Sequence, residues 1–514
     1  MKTKFLIAFM LLGIAKGFSQ QPEVIYHLFQ RSFYDSNGDL HGDLTGIREK
    51  LDYLGDLGVT SVLLMPLYES DFYHNYFAID FEKIDGEFGS MTDYLNLVKE
   101  MHEREMKIYQ DVEMQYVTHE HIWYTESFGK PSSPYDNYVY YYDDQNLKPY
   151  FFFDIPEFTT YNNLKQKIAV VNMNDPAVRD YTLKVLKYWV DPNEDGVFDD
   201  GVDGFRFDHM MDDLDNSGKL TNLFEKFWTP ILTELRKINP ELTFIAEQAN
   251  WASFGFDYFM EAEVDAVFAF RLKFAIESFD KRRIMSEADS TFLSLPPGKQ
   301  QVVFIENHDT RRFASGDGMS IPKLKAAAAM NILMGGIPLI YYGQELGMRG
   351  EQRKGMTDGN DIPIREAFEW YRSTEGTGMA YWYKDTGVWW DSTNVKANDG
   401  ISIEEQYNDP ASLWNYYKTL IALKKDRAAL ASGQYRSLHN DNDSVLSFLR
   451  YSEGEQIMVL VNLSGQQQAV TADSGNAGFT RARSAVDNTR ATLSGGQLNT
   501  TLPPYGVAVW ELLN

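Results

Sequence analysis

The sequence contains no cysteine. That excludes a disulfide framework, a lipobox thiol and any thiolate metal site, so rigidity must come from core size or from bound ions. Positive charge is also scarce: 48 Lys and Arg stand against 74 Asp and Glu, a formal net charge of -26. Such a chain repels phosphate backbones and anionic lipid, which argues against nucleic-acid or membrane-surface partners. Long apolar runs are absent beyond the first twenty residues. There, Lys2 and Lys4 precede an apolar run from Phe5 to Ala15. It is short for a bilayer span and reads as an export signal cleaved near Ser19–Gln21, with an uncleaved anchor as the alternative. Bacterial export, to the periplasm or the medium, is the expected localisation. No internal repeat of solenoid spacing occurs.

What is present is a chain of 514 residues, 44% hydrophobic and 14% aromatic, enough for several domains or one large barrel with additions. Short apolar runs alternate with amphipathic ones from Glu23 onward. Eight runs read as strands before residue 345: EVIYHLF, TSVLLMPL, KIYQDVEMQY, GFRFD, TFIAEQ, DAVFAF, VVFIEN and PLIYYG. Between them lie helical periods, such as NDPAVRDYTLKVLKYWV, where Val178, Tyr181, Val185 and Tyr188 share a face. Repeated βα units with apolar strands predict an α/β fold, and eight of them predict a (β/α)8 barrel. About sixty residues rich in Tyr, Asn, Asp and Pro follow the third strand and suggest an inserted subdomain. After SLWNYYKTLIALKKDRAAL the texture becomes short alternating runs, the pattern of an antiparallel β-sandwich. The expected division is therefore a barrel over 21–114 and 179–430, an insertion over 115–178 and a sandwich over 431–514.

Barrel enzymes carry their chemistry at the C-terminal ends of the strands. Those ends present Asp111 (IYQDVE), Asp208 (FRFDH), Glu247 (FIAEQ) and Asp309 (FIENHD). One such acid is ordinary, whereas several on separate strands converge on one spot. Convergent carboxylates of differing acidity are what glycoside hydrolysis needs: a protonated acid for the leaving oxygen, an ionised one near the anomeric carbon. Arg206 alternates in phase with Asp208, so its guanidinium lies where it would hold Asp208 ionised. His308 adds a hydrogen-bonding group beside Asp309.

GVDGFRFD, FIAEQ and FIENHD resemble, in order, three signature segments of the α-amylase superfamily of glycoside hydrolases, family 13. The flanking segments LDYLGDLGVTSVLLMPLYES and GGIPLIYYGQELGM are similar too, so the likeness runs from about Glu23 to the C-terminus. The resemblance implies a barrel, an insertion after strand 3 and a C-terminal sandwich. On the matching positions it implies Asp208 as nucleophile, Glu247 as general acid and base, and Asp309 as a grip on sugar hydroxyls, with Arg206 and His308 in support. YHNYFAID resembles the segment whose tyrosine stacks under the sugar, which implies Tyr76 as platform and His74 as a neighbouring contact. The departure is in DVEMQY. Gln115 and Tyr116 stand where the family places an Asn that helps to hold an interdomain calcium and a His that contacts the sugar. Asp111 is kept, and Asp111 and Tyr116 are expected at the substrate. HMMDD after Asp208 lacks the Lys-His pair that many endo-amylases use on the leaving side.

Two acidic loops have oxygen donors spaced for a hard cation. In DSNGDLHGD these are Asp35, Asn37, Asp39 and Asp43, a stretch also similar to a calcium loop of oligosaccharide-cleaving relatives. In DPNEDGVFDDGVD they are Asp191, Asn193, Asp195, Asp199 and Asp203. The alternative for both is a plain Asx turn. The function expected is cleavage of mainly α-1,4 bonds in starch-like α-glucans or malto-oligosaccharides. Its alternatives are an exo-acting α-glucosidase, a transglycosylase, or a non-catalytic starch-binding protein.

Overall fold

A computed structural model describes residues 22–355 and 357–514. The expected export signal, residues 1–20, lies outside them. Eight parallel strands close a barrel: β1 (Ile25–Leu28), β2 (Ser61–Leu64), β3 (Lys107–Val112), β4 (Gly204–Met210), β5 (Thr243–Gln248), β6 (Ala266–Phe268), β7 (Gln300–Val303) and β8 (Ile337–Tyr341). Each pairs with the next in sequence, and β1 closes the ring against β8. These are the eight runs expected from sequence.

Strand alternation divides the residues between two cores. Ile25, Leu63, Tyr109, Ile245, Val302 and Leu339 fill the barrel. Their neighbours Tyr26, Val62, Ile108, Phe205, Phe207 and Phe244 face the surrounding helices. Helix Pro176–Val190 shows how one of those helices is built. Asp175 caps it by accepting the N–H of Ala177, and Pro176 opens it. Its buried face is Val178, Thr182, Val185, Leu186 and Trp189. Tyr181 and Tyr188, expected on that face, are only half-buried at its edge, because Trp189 occupies the centre.

After β3 the chain leaves the barrel. Tyr116–Thr118 pairs antiparallel with Ile168–Val170 and ties the two ends of the excursion together. Beyond Leu413–Asp426 the chain forms a six-stranded antiparallel sheet, with Gln468–Asp473 and Gln497–Leu502 as a separate pair. Val445, Leu449 and Leu460 of the large sheet share a core with Val470, Leu498 and Leu502 of the pair. The opposite face, with Leu446, Phe448 and Val459, joins the core outside the barrel. Among the described residues no helix is long and apolar enough to cross a membrane.

Candidate active site

Strand phase delivers the carboxylates. Asp111 lies two residues beyond Tyr109, Asp208 two beyond Arg206, and Glu247 two beyond Ile245. All three therefore point to the barrel axis at the C-terminal mouth. Register sets Arg206 directly beside Asp111 and Ile245. The buried Arg206 guanidinium then reaches three acids: Asp111 Oδ2 at 2.8 Å, Asp208 Oδ1 at 2.5 Å and Glu247 Oε2 at 2.9 Å. Tyr76 donates its hydroxyl hydrogen to Asp111 at 2.7 Å, and its oxygen lies 2.8 Å from His308 Nε2. On the other side, Asp309 lies 2.9 Å from His308 Nε2 and 3.1 Å from Arg365.

One cation does not balance three carboxylates, two of which are buried. Burial raises the pKa of Glu247 well above the carboxylate range, with Arg206 opposing and Asp208 adding to the rise. Asp111 is pushed up to about 7 by burial, again against Arg206. Burial, with Arg206 and Arg365 nearby, lowers His308 well below its ordinary value, so the imidazole is neutral. His74 is lowered too, by burial and then Arg365. The Asp208 carboxyl is 18% exposed and that of Asp309 is 30%, whereas Glu247 is at 7%. Two acids thus face the cavity openly and the third is sheltered.

That cavity is about 820 Å³, lined by Asp208, Glu247 and Asp309 with Tyr76, His74, Tyr116 and His308. Its size and mixed aromatic and polar walls suit part of an oligosaccharide. Of the residues expected at the substrate, Arg206 and Asp111 lie beneath the other carboxylates, off the wall. Tyr116 reaches the wall through its ring, while its hydroxyl donates to Asp215 at 2.6 Å.

Sequence reasoning missed several lining groups. Arg365 follows a short helix, Asp358–Ile364, in an irregular stretch with no periodic signal. It also donates to the His308 carbonyl at 2.9 Å and lies 3.4 Å from Asp361. Trp251 comes from a loop, and Phe152 and Phe153 from a single short turn of helix, Phe152–Asp154. Glu113 was legible: it has the same alternation as Tyr109 and Asp111, and it is buried at the cavity with its pKa raised well above the usual range by burial and then Asp208.

At the departure point, Gln115 turns Nε2 toward the carbonyls of Asp208 and His209, at 2.7 and 3.1 Å, while its own oxygen accepts the N–H of Met114. An amide donor aimed at those carbonyls does not fit an interdomain calcium there. The Lys-His positions are filled by buried Met211 and by Asp212, which accepts the N–H of Phe224.

The acidic loops lie apart from this cavity, and among the described residues no three His, Asp or Glu side chains converge as metal ligands. Asp35 accepts N–H groups of Asn37, Gly38 and Leu40, Asn37 that of Asp39, and Asp39 that of His41. Asp43 instead caps helix Leu44–Glu49. In the second loop Asp191, Asn193 and Asp195 accept N–H groups of residues 195 to 197. Asp199 offers its carbonyl to the His102 ring, and Asp203 turns away to Ile108 N–H and His102. Asp43 and Asp203 are therefore diverted from the expected donor sets by a helix cap and a strand edge.

A parallel eight-stranded barrel with acids from three strands around one mouth defines an enzyme of the glycoside-hydrolase type. The family model "Alpha amylase, catalytic domain" matches residues 27–433, and "Maltogenic Amylase, C-terminal domain" matches residues 435–509. The chain belongs to the α-amylase family. Alpha-amylase 3 of Dictyoglomus thermophilum is 29% identical over 454 residues, covering 86% of this chain and 84% of the relative. A probable oligo-1,6-glucosidase 3 of Bacillus subtilis is 27% identical, covering 86% and 90%. The crystal structure of an α-amylase from H. orenii superposes with a TM-score of 0.78 at 25% identity, covering 96% of this chain and all of that one.

Proposed function

We propose that this enzyme is an exported, retaining hydrolase of α-1,4-glucosidic bonds in starch-like α-glucans or malto-oligosaccharides. The observation that carries the reading is the single Arg206 guanidinium in contact with both Asp208 and Glu247. The shared cation gathers both carboxyls at one place in the mouth, the pairing that attack by one and proton donation by the other calls for. The more exposed Asp208 attacks the anomeric carbon, while the sheltered, proton-retaining Glu247 gives its proton to the leaving oxygen. Glu247, now a carboxylate, takes a proton from water, whose oxygen displaces Asp208 and restores the acid. Asp309, between His308 and Arg365, accepts hydrogen bonds from sugar hydroxyls, and Tyr76 and His74 wall the ring. Asp208→Asn should lower release of reducing ends from soluble starch by about 10⁴-fold or more; equal activity in both proteins would refute the reading and favour a non-catalytic starch-binding role.

A second reading, exo-action or transfer, is favoured by Met211 and Asp212, neither of which offers a donor to the leaving side. Products from starch, pullulan and maltotriose separate the three: a ladder for endo-attack, one short sugar for exo-attack, longer chains for transfer. Calcium is proposed at Asp35, Asn37 and Asp39, and at Asp191, Asn193, Asp195 and Asp199, whose hard oxygens suit it chemically. Export is proposed from Lys2, Lys4 and the apolar run; a secreted product beginning near Gln21 would bear it out, and full-length retained protein would count against it.

A further inference from the structure

Strand β4 does not end straight. Its register against β5 shifts between Phe207 and Met210, and His209 sits at φ 45°. A residue with a side chain holds that left-handed conformation at a cost, which hydrogen bonds from its surroundings can offset. The turn brings two successive carbonyls, of Asp208 and His209, to one side chain. Gln115 Nε2 donates to both, which uses both of its hydrogens. Its oxygen is taken by the N–H of Met114 at 2.7 Å. A flipped amide would set oxygen against two carbonyls, so the carboxamide has one orientation. Gln115 is buried, and its own N–H donates to Glu113 Oε1.

The peptide joining Asp208 to His209 is thereby held at both ends. Its carbonyl accepts from Gln115, and its N–H donates to Glu247 Oε2 at 3.3 Å. We infer that Gln115 is a positioning residue for the reaction: its carboxamide locks the left-handed turn at His209, and the locked peptide sets Asp208 against Glu247. Gln115 does not line the cavity, so it acts through the backbone. The inference rests on Asp208 and Glu247 being the reacting pair.

The test is a cycle of four proteins: wild type, Gln115→Met, His209→Gly and the double variant, with kcat and KM measured on maltotriose and thermal unfolding followed in parallel. Methionine keeps the volume and removes both donors. Glycine takes φ 45° without the side-chain penalty, so the tie no longer has strain to hold. In the wild-type background Gln115→Met should lower kcat about tenfold or more, with KM changed by less than about threefold. In the His209→Gly background the same substitution should cost less than about threefold. Equal losses in both backgrounds, or a loss confined to KM or to unfolding temperature, would overturn the inference. If Gln115→Met does not fold, Gln115→Asn, one methylene short of the carbonyls, enters the same cycle and is judged by the same outcomes. A wild type without hydrolysis would overturn the functional reading as well; an active wild type without this coupling would overturn the inference alone.

Discussion

Two arginines organise the carboxylates of the cavity, and they come from different kinds of structure. Arg206 stands within β4, is buried, and serves Asp111, Asp208 and Glu247 from three adjacent strands. Arg365 follows a short helix and serves Asp309 and Asp361, both 30% exposed. On the first side three acids, two of them buried, share one cation, so protons are retained on the buried two, Glu247 and Asp111. On the second, two half-exposed acids share one cation with water at hand. The number and burial of acids per arginine, rather than the arginine itself, separates a proton-holding half from an open one.

The contrast breaks hardest at Arg206. Arg206→Met leaves the three carboxylates without their cation, and stability to denaturant should fall by about 3–5 kcal/mol. An unchanged unfolding midpoint would mean that the acids are already neutral without it. Arg365→Met should cost less, about 1.5–3 kcal/mol in the same denaturant unfolding, because the acids it leaves are partly solvated. An equal loss of stability in the two variants would erase the distinction.

Asp111 sharpens it through pH. Its native carboxyl is raised to about 7 from an ordinary 3.8. The folded protein therefore holds a proton that the unfolded chain has released, and stability falls as pH rises from about 4 to about 7. Asp111→Asn should make the fall in unfolding temperature over that window shallower, the remainder belonging to Glu247 and Glu113; an unaltered slope would assign the proton elsewhere. The smallest effect is expected at the acidic loops. Excess EDTA should lower the unfolding temperature by a few degrees, about what loss of one or two kcal/mol gives for a chain this long. No shift would leave both loops as Asx turns.

Much of this was legible because a strand alternates with period two. That parity set Arg206 and Asp208 on one side of their strand before any distance was available, and the same parity relates Tyr109 and Asp111 in β3. It would have included Glu113 as well, had the alternation been carried one step past the valine that ends β3. Arg365, Trp251 and Phe153 could not be found that way, since each lies where no period constrains the side chain. The acidic loops misled at their ends for a related reason. Spacing counts oxygens, but Asp43 and Asp203 are drawn off by a helix start and a strand edge that spacing does not register.

Sequence by itself determined the barrel, its eight strands and the identity of the acids at its mouth, because local periodicity and chain order suffice for these. Tertiary structure alone decided which acid is sheltered, that one guanidinium is divided among three carboxylates, and that Gln115 grips the peptide after Asp208. Burial and long-range hydrogen bonds set those outcomes, and both depend on residues roughly a hundred positions apart meeting at one end of the barrel.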